Sequence, residues 1–233
     1  MCGGECIQVE ENKCKILEEA CPVCFTRAKL CPGDAVKVIN LPEELSTDMT
    51  HRYSLNGFRL FRLPTPRQDS VIGILGPNGI GKSTAINLLS GSIMPNLGDW
   101  IDPPTDWENI IETFPRGELR DYLTLVSEGE ISIAVKPQYI DKLPKLWSGK
   151  VSGLLTRVND MGELDKYAKL TGIEHLLERE LKDLSGGELQ RVAICATILK
   201  DAEVYFFDEP SSYLDIYERM RMVSIIQDLA SKG

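Results

Sequence analysis

The apolar residues from position 71 onward follow two alternating patterns, one typical of strands and one typical of helices. Short, almost uniformly apolar runs stand at "VIGILG", residues 71–76, and within "EVYFFDEP", residues 203–210, which favours two strands buried in a parallel sheet. Helical patterns are predicted over residues 82–91, 107–114, 118–126, much of 151–182, 186–200 and 215–233. This alternation predicts an α/β domain.

Two of the predicted helices carry an apolar face that we expect to lie in a core. In the helix over 82–91 the apolar face is formed by Ile86, Leu88 and Leu89, and Gly91 is the residue expected to end the helix. In the helix over 186–200 the apolar face is formed by Val192, Ile194, Cys195, Ile198 and Leu199.

The helix over 215–233 is the last predicted element. In a parallel α/β sheet another strand should follow it, because an unpaired sheet edge at that point would favour aggregation. We therefore expect a domain that is incomplete at its C-terminal end.

Composition and charge restrict the class of protein. The chain is 42% apolar and 26% charged, as in soluble globular proteins, and it contains no apolar run long enough to span a membrane and no secretory signal. We expect a cytoplasmic protein. The net charge of −9 argues against non-specific binding to nucleic-acid phosphates. The stretch "HRYSLNGFRLFRLPTPRQDS", residues 51–70, is nevertheless locally basic through Arg52, Arg59, Arg62 and Arg67, which leaves room for docking on one defined ribonucleoprotein surface.

A phosphate-binding loop follows the first predicted strand and opens the first predicted helix. The sequence from Gly76 to Ser83 has the P-loop pattern G-x4-G-K-S, in which glycines let backbone N–H groups approach phosphates. Lys82 is expected to reach the β- and γ-phosphates of a nucleotide, and the Ser83 hydroxyl to bind Mg²⁺. The residues of this segment predicted to bind ATP are Gly76, Asn78, Gly79, Gly81, Lys82, Ser83 and Thr84.

Two acids end the second predicted strand. Asp208 is expected to hold Mg²⁺, directly or through water, and Glu209 to polarise an attacking water molecule. Farther upstream, "LSGGELQR" places Ser185 at a helix N-cap and leaves backbone N–H groups free at Gly186 and Gly187, a geometry that suits a γ-phosphate.

The order of these segments resembles that of ABC ATPases. The P-loop, "KPQ" with Gln138, "LSGGE", the strand ending in Asp208–Glu209, and "SSYLD" follow one another as in that family. The resemblance implies that Gln138 senses Mg²⁺ and the γ-phosphate, and that residues 211–215 form the D-loop. It also implies that the signature segment acts in trans, on ATP held by an opposing domain; its residues are Ser185, Gly186, Gly187 and Glu188.

The stretches "THRYSLNGFRLFRLPTPR" and "KPQYID" are similar to the ABC-E family, the ribosome-recycling ATPases also called RNase L inhibitor. This resemblance implies ATP and Mg²⁺ as ligands and adenine stacking by Tyr53 and Phe58. It also implies subunit splitting after termination or rescue, small-subunit binding in initiation, and a release or rescue factor as partner. Family members have two nucleotide-binding domains, so the second domain and the switch histidine would be missing from this chain.

The N-terminal cysteines resemble the iron–sulfur module of that family. We assign residues 1–40 to a degenerate ferredoxin-like module and residues 41–233 to the first nucleotide-binding domain. The doubtful cluster ligands are Cys21, Cys24 and Cys31, because Arg27 replaces a ligand cysteine and cannot bind iron. We expect 4Fe–4S sites that are incomplete, and zinc or a single cluster stays open as an alternative.

Three functions remain open from the sequence. The first is an ATPase of ribosome recycling, weak or inactive as an isolated chain because half of each composite site is missing. The second is a non-catalytic ATP-binding regulator that associates with the ribosome. The third is a transporter ATPase subunit, against which the cysteine-rich N-terminus argues.

Overall fold

The computed structural model describes residues 7–10, 13–16, 49–54 and 57–231. The chain divides into two compact units, Met1–Ser46 and Thr47–Gly233. In the first unit, β1 (Ile7–Glu10) pairs with β2 (Lys13–Ile16) as an antiparallel ribbon. The second unit begins with another short antiparallel pair, β3 (His51–Arg52) and β4 (Arg59–Leu60).

A parallel pair of strands lies at the centre of the second unit. β5 (Ile133–Lys136) runs parallel to β6 (Val204–Phe207), in a register that places Lys136 opposite Phe207. Ala134 and Lys136 of β5 are buried. The predicted strand within residues 203–210 is confirmed, and it is flanked by helices as in an α/β domain.

The helices occupy the segments that the sequence pattern predicts, except for the short helix Leu143–Leu146, which was not predicted. Three of them precede β5: α1 (Lys82–Leu89), α2 (Trp107–Thr113) and α3 (Glu118–Glu128). Four helices come after β5 and before β6 along the chain: α4 (Leu143–Leu146), α5 (Val151–Arg157), α6 (Leu164–Leu170) and α7 (Gly186–Ile198). The last helix, α8, covers Ile216–Ala230. Within 151–182 the helical prediction is confirmed in part, because short 3-10 turns at Glu174–Leu176 and Leu181–Asp183 interrupt it.

Two apolar cores form on opposite sides of β6. The P-loop core joins α1, α2 and α3, and Val204 and Phe206 of β6 pack against it; its buried members are Leu63, Ala85, Leu88, Leu89, Ile111, Tyr122 and Leu123. The large core is built around α7, and Phe207 of β6 packs against it. Because successive side chains of a strand point to opposite faces, β6 serves both cores at once.

The predicted apolar faces are confirmed. Leu88 and Leu89 of α1 are buried in the P-loop core, and Ile86 is buried as well. The five predicted positions of the α7 face, Val192, Ile194, Cys195, Ile198 and Leu199, are all buried in the large core. Gly91 has a φ of 69° just past α1, the left-handed conformation that ends a helix.

The strand predicted at residues 71–76 is wrong. This segment has no regular secondary structure, and Val71, Ile72 and Leu75 are 56%, 44% and 92% exposed. A strand needs a hydrogen-bonded neighbour, and in the described part of the chain β5 and β6 pair only with each other. The apolar run at residues 71–76 therefore forms no strand, because no strand among the described residues is hydrogen-bonded to it.

Among the described residues, no helix combines the length and the apolar character required to cross a membrane.

Candidate nucleotide site

The P-loop leads directly into α1. Gly79 and Gly81 have φ angles of 83° and 97°, in the left-handed region that favours glycine. Gly81 is the residue before the first turn of α1, so the free N–H groups of the helix N-terminus begin at Lys82. The Lys82 ammonium donates hydrogen bonds to the carbonyl oxygens of Gly76 and Pro77, at 2.9 and 3.1 Å. The loop therefore curls around the lysine, as a phosphate cradle requires.

Two aromatic side chains lie against this loop. A Cβ atom placed on Gly81 would come within 2.1 Å of Phe58 Cζ, so the Phe58 ring contacts the P-loop backbone. The Tyr53 hydroxyl lies 3.4 Å from Thr84 Oγ1, and the Tyr53 and Phe58 ring centroids are 6.5 Å apart. Phe58 is half-buried and Tyr53 is 49% exposed, so neither is a core residue. The structure thus brings the two predicted adenine-stacking residues beside the predicted phosphate loop.

His51 supports Tyr53 from behind. The two rings meet edge to face with centroids 4.9 Å apart. The imidazole is buried, and its Nδ1 atom has no hydrogen-bond partner among the described residues. Burial lowers the pKa of His51, which favours the neutral ring.

The acids and Gln138 follow the ends of the two parallel strands. Asp208 comes directly after β6, and Gln138 comes two positions after the end of β5. Since parallel strands end at the same edge of a sheet, the two residues share that edge. Asp208 is buried, and its backbone N–H donates to the Lys136 carbonyl at 3.1 Å. A hydroxyl, an amide and one carboxylate, from Ser83, Gln138 and Asp208, suit Mg²⁺, which keeps waters and substrate phosphates among its ligands.

Glu209 has an unusual backbone. Its φ is 45°, a value that non-glycine residues rarely adopt and that is concentrated at functional sites. The Ser212 hydroxyl donates to its carboxylate at 3.3 Å, and the Ser212 N–H donates to its carbonyl at the same distance. The predicted catalytic acid is therefore connected to the predicted D-loop.

The signature segment forms a capped helix start. Ser185 accepts a hydrogen bond from the Glu188 N–H, and the Glu188 carboxylate accepts one from the Ser185 N–H at 2.8 Å, which completes a capping box. The hydrogen bonds from Ser185 lower the pKa of Glu188, and Arg179 pairs with its carboxylate at 2.9 Å. The predicted N-cap role of Ser185 is confirmed.

The two signature glycines pack on the D-loop. A Cβ atom on Gly187 would lie 2.9 Å from the Tyr213 carbonyl oxygen, and one on Gly186 would lie 3.2 Å from the Tyr213 ring. Tyr213 itself has a φ of 63°. The structure thus joins the signature segment to the D-loop of the same chain.

The phosphate loop and the acids share a support. The P-loop core contains buried side chains of α1, and Val204 and Phe206 of β6, the strand that ends just before Asp208, pack against the same core. Within the described residues no hydrogen bond joins a P-loop side chain to Asp208 or Glu209. The position of the P-loop relative to the two acids is therefore set by the core that they share and not by a direct contact.

Sequence reasoning overlooked two residues at this site, Lys136 and Gln190. Both side chains are fully buried. Lys136 donates to the Asp208 carbonyl at 3.0 Å, and burial lowers its pKa to about 8, although the Asp208 and Glu209 carboxylates act in the opposite direction. Gln190 donates to the carbonyls of Glu209 and Pro210, at 3.1 and 2.9 Å. The sequence signal that could have indicated Lys136 is its position at the end of the apolar run "IAVK".

The predicted cluster ligands Cys21, Cys24 and Cys31 lie outside the described residues. Within the described ranges, no group of three or more His, Cys, Asp or Glu side chains is arranged to hold a metal ion.

The chain is similar to known proteins. A family model described as "ABC transporter" matches residues 65–212. The chain is 43% identical to ABC transporter E family member 1 of Arabidopsis thaliana, over 97% of this chain and 38% of that protein. It is 44% identical to Translation initiation factor RLI1 of Saccharomyces cerevisiae, over the same shares.

A solved structure is similar as well. It is the complex of the archaeal ribosomal stalk protein aP1 with the archaeal ribosome recycling factor aABCE1, at 46% identity and a TM-score of 0.77, covering 82% of this chain and 36% of that one. The chain spans 38% of the length of the two curated relatives. The chain therefore belongs to the ABC transporter family, and it is similar to a relative that is named an E family member.

Proposed function

We propose that this chain binds ATP with Mg²⁺ and is the first nucleotide-binding domain of a ribosome-recycling ATPase. The observation that carries the proposal is the P-loop that opens α1, with Lys82 held inside it and Phe58 against Gly81. Loops of this kind bind phosphates through backbone N–H groups and the lysine ammonium. An adenine base would stack on the Tyr53 and Phe58 rings.

Hydrolysis would use the residues at the sheet edge. Ser83, Asp208 and Gln138 would hold Mg²⁺, which when bound would neutralise phosphate charge. Glu209 would accept a hydrogen bond from the attacking water and orient it towards the γ-phosphate. Ser185, Gly186, Gly187 and Glu188 would act on ATP held by an opposing domain. The isolated chain would then turn over ATP weakly, because each composite site needs two domains.

The proposed context is the ribosome in the cytoplasm. One relative is named a translation initiation factor, and the similar solved structure contains a ribosome recycling factor with a stalk protein. We assign to this chain the same class of partners: the small ribosomal subunit and a release or rescue factor. Residues 1–40 are proposed to form the ferredoxin-like module and residues 41–233 the nucleotide-binding domain, with Cys21, Cys24 and Cys31 as an incomplete ligand set for 4Fe–4S clusters.

Nucleotide binding tests the proposal directly. Titration of the purified chain with a fluorescent ATP analogue and Mg²⁺ should show saturable binding. Lys82→Ala should weaken binding at least ~10-fold, about 1.4 kcal/mol, because the ammonium that meets the phosphates is lost. Lys145→Ala is the matched control, since Lys145 is an exposed lysine on α4. Equal affinity of wild type and Lys82→Ala would contradict the assignment of the site.

Ribosome association is tested by sedimentation through a sucrose gradient. The chain with a non-hydrolysable ATP analogue should travel with small ribosomal subunits, and less of it should do so without nucleotide. Binding of ATP without turnover at any protein concentration would favour the non-catalytic regulator over the ATPase.

A further inference from the structure

Two buried side chains hold three consecutive backbone carbonyls beside the candidate catalytic acid. Lys136 Nζ donates to the carbonyl of Asp208 at 3.0 Å. Gln190 Nε2 donates to the carbonyls of Glu209 and Pro210, at 3.1 and 2.9 Å. We call Lys136 and Gln190 together the carbonyl clamp. One member comes from the end of β5 and the other from α7, so the clamp reaches the same short segment from two different elements.

The clamp holds a segment that contains a residue with an unfavourable backbone conformation. Glu209 has a φ of 45°, and such a conformation persists only where the surroundings fix it. The donors are costly to bury, since a lysine and a glutamine amide both lose their hydration at fully buried positions. None of the three bonds continues the β5–β6 ladder, and all of them end on the segment that carries Glu209. The need to fix that segment explains why the lysine and the glutamine are buried there despite their lost hydration.

The amide of Gln190 has one orientation that fits. Its Nε2 faces two carbonyl oxygens, so the reversed amide would place oxygen against oxygen. Its Oε1 is buried and has no hydrogen-bond partner among the described residues. The side chain therefore keeps one polar atom unsatisfied in order to hold Glu209 and Pro210, which indicates that those bonds are structurally specified.

Gln190 also lies close to the signature segment. It is on α7, the helix that begins at Gly186 and is capped by Ser185. A rigid helix transmits displacement of its N-terminal turn to a residue one turn along it. When a nucleotide binds the signature segment, displacement of α7 would therefore be passed to the backbone of Glu209 through the Gln190 side chain.

We propose that Lys136 and Gln190 are positioning residues that hold Glu209 in its catalytic orientation, and that Gln190 couples the signature segment of α7 to Glu209 of the same chain. The inference rests on the proposed ATPase function and names how its catalytic acid is set. Misplacement of a catalytic group by about 1 Å costs on the order of 10²-fold in rate, so loosening this segment has a large expected effect. ATP binding depends on the P-loop and should be unaffected.

The test uses Gln190→Met and Lys136→Met, which keep side-chain length and remove the donors. In the full chain, at concentrations high enough for two copies to meet, each variant should lower kcat for ATP by roughly 10-fold or more and change KM and the ATP dissociation constant less than about twofold. Lys136→Arg, which keeps N–H donors, should recover part of kcat. Ile194→Val is the control, because it alters packing in the buried face of α7 without a polar contact.

A second readout does not depend on turnover. Hydrogen exchange of the backbone N–H groups of Asp208 and Ser212, whose bonds end at Lys136 and Glu209, should be faster in both donor-loss variants than in Ile194→Val. Because the two side chains hold one segment, the increase in exchange rate in the double variant should be smaller than the sum of the increases in the two single variants.

The outcomes separate the two proposals. Unchanged exchange in both variants overturns the clamp, whether or not the chain hydrolyses ATP. Faster exchange with unchanged kcat overturns its role in positioning Glu209. A wild-type chain that binds no ATP contradicts the proposed function instead, and the exchange rates still decide whether the clamp exists.

Discussion

At the scale of single residues, the site is defined by close contacts that leave no room for a side chain. Gly81 combines a φ of 97° with the Phe58 ring at its Cα, so conformation and space both require glycine. Gly187 is different, because it lies within α7 and only the Tyr213 carbonyl oxygen limits it. A substitution at Gly187 therefore tests packing alone, without the backbone strain that a substitution at Gly81 would add.

Gly187→Ala should destabilise the chain, although alanine is normally the better helix residue. Its Cβ atom would meet a backbone oxygen at 2.9 Å, and we expect a loss of ~1–3 kcal/mol in the free energy of unfolding. Gly186→Ala is the matched control: its nearest neighbour is the Tyr213 side chain at 3.2 Å, which can move. Denaturant unfolding of both variants measures the difference, and equal stabilities would show that the D-loop backbone yields to the new methyl group.

At the scale of elements, helices were predicted well because their signals are local. Ser185 with Glu188, and Asp106 at the start of α2, are caps that can be recognised in sequence. The segment at residues 71–76 failed because strand formation depends on a neighbour elsewhere in the chain. The clamp could not be predicted, since Lys136 and the Asp208 carbonyl are 72 positions apart and meet only through strand pairing.

Removing a helix cap should lower stability in a way that depends on the cap alone. Ser185→Ala and Asp106→Ala each remove a side chain that accepts from a backbone N–H of the first turn, and each should cost about 1 kcal/mol in the free energy of unfolding. ATP affinity should be unchanged in both, because the signature segment is proposed to contact the nucleotide of an opposing domain. Weaker ATP binding by the monomeric Ser185→Ala chain, with Asp106→Ala unaffected, would contradict that assignment.

At the scale of the whole second unit, β6 connects the two cores, because its side chains pack against both. Phe206 packs into the P-loop core and Phe207 into the large core. Loss of either core should therefore remove one face of the strand that leads to Asp208.

Substitutions in the two cores should affect a single unfolding transition. Leu88→Ala in the P-loop core and Leu155→Ala in the large core should each cost ~2–5 kcal/mol, since both leucines are completely buried. Trp107 packs on the first core and Trp147 on the second, so their fluorescence reports each core separately. Chains in which Trp100 and one of these two reporters are changed to Phe, so that a single tryptophan remains, should give coincident unfolding curves. Separated curves would show that β6 does not couple the cores.

The long separation between β5 and β6 has a consequence for synthesis. The Lys136–Asp208 bond joins positions 72 residues apart, whereas most of the P-loop core comes from residues 63–123. Contacts that are distant in sequence form late, and a nascent chain meets its N-terminal contacts first. During translation the proposed nucleotide cradle would thus have its packing partners before the proposed catalytic acids have theirs, so in a newly made chain the proposed capacity to bind ATP would precede the proposed capacity to cleave it.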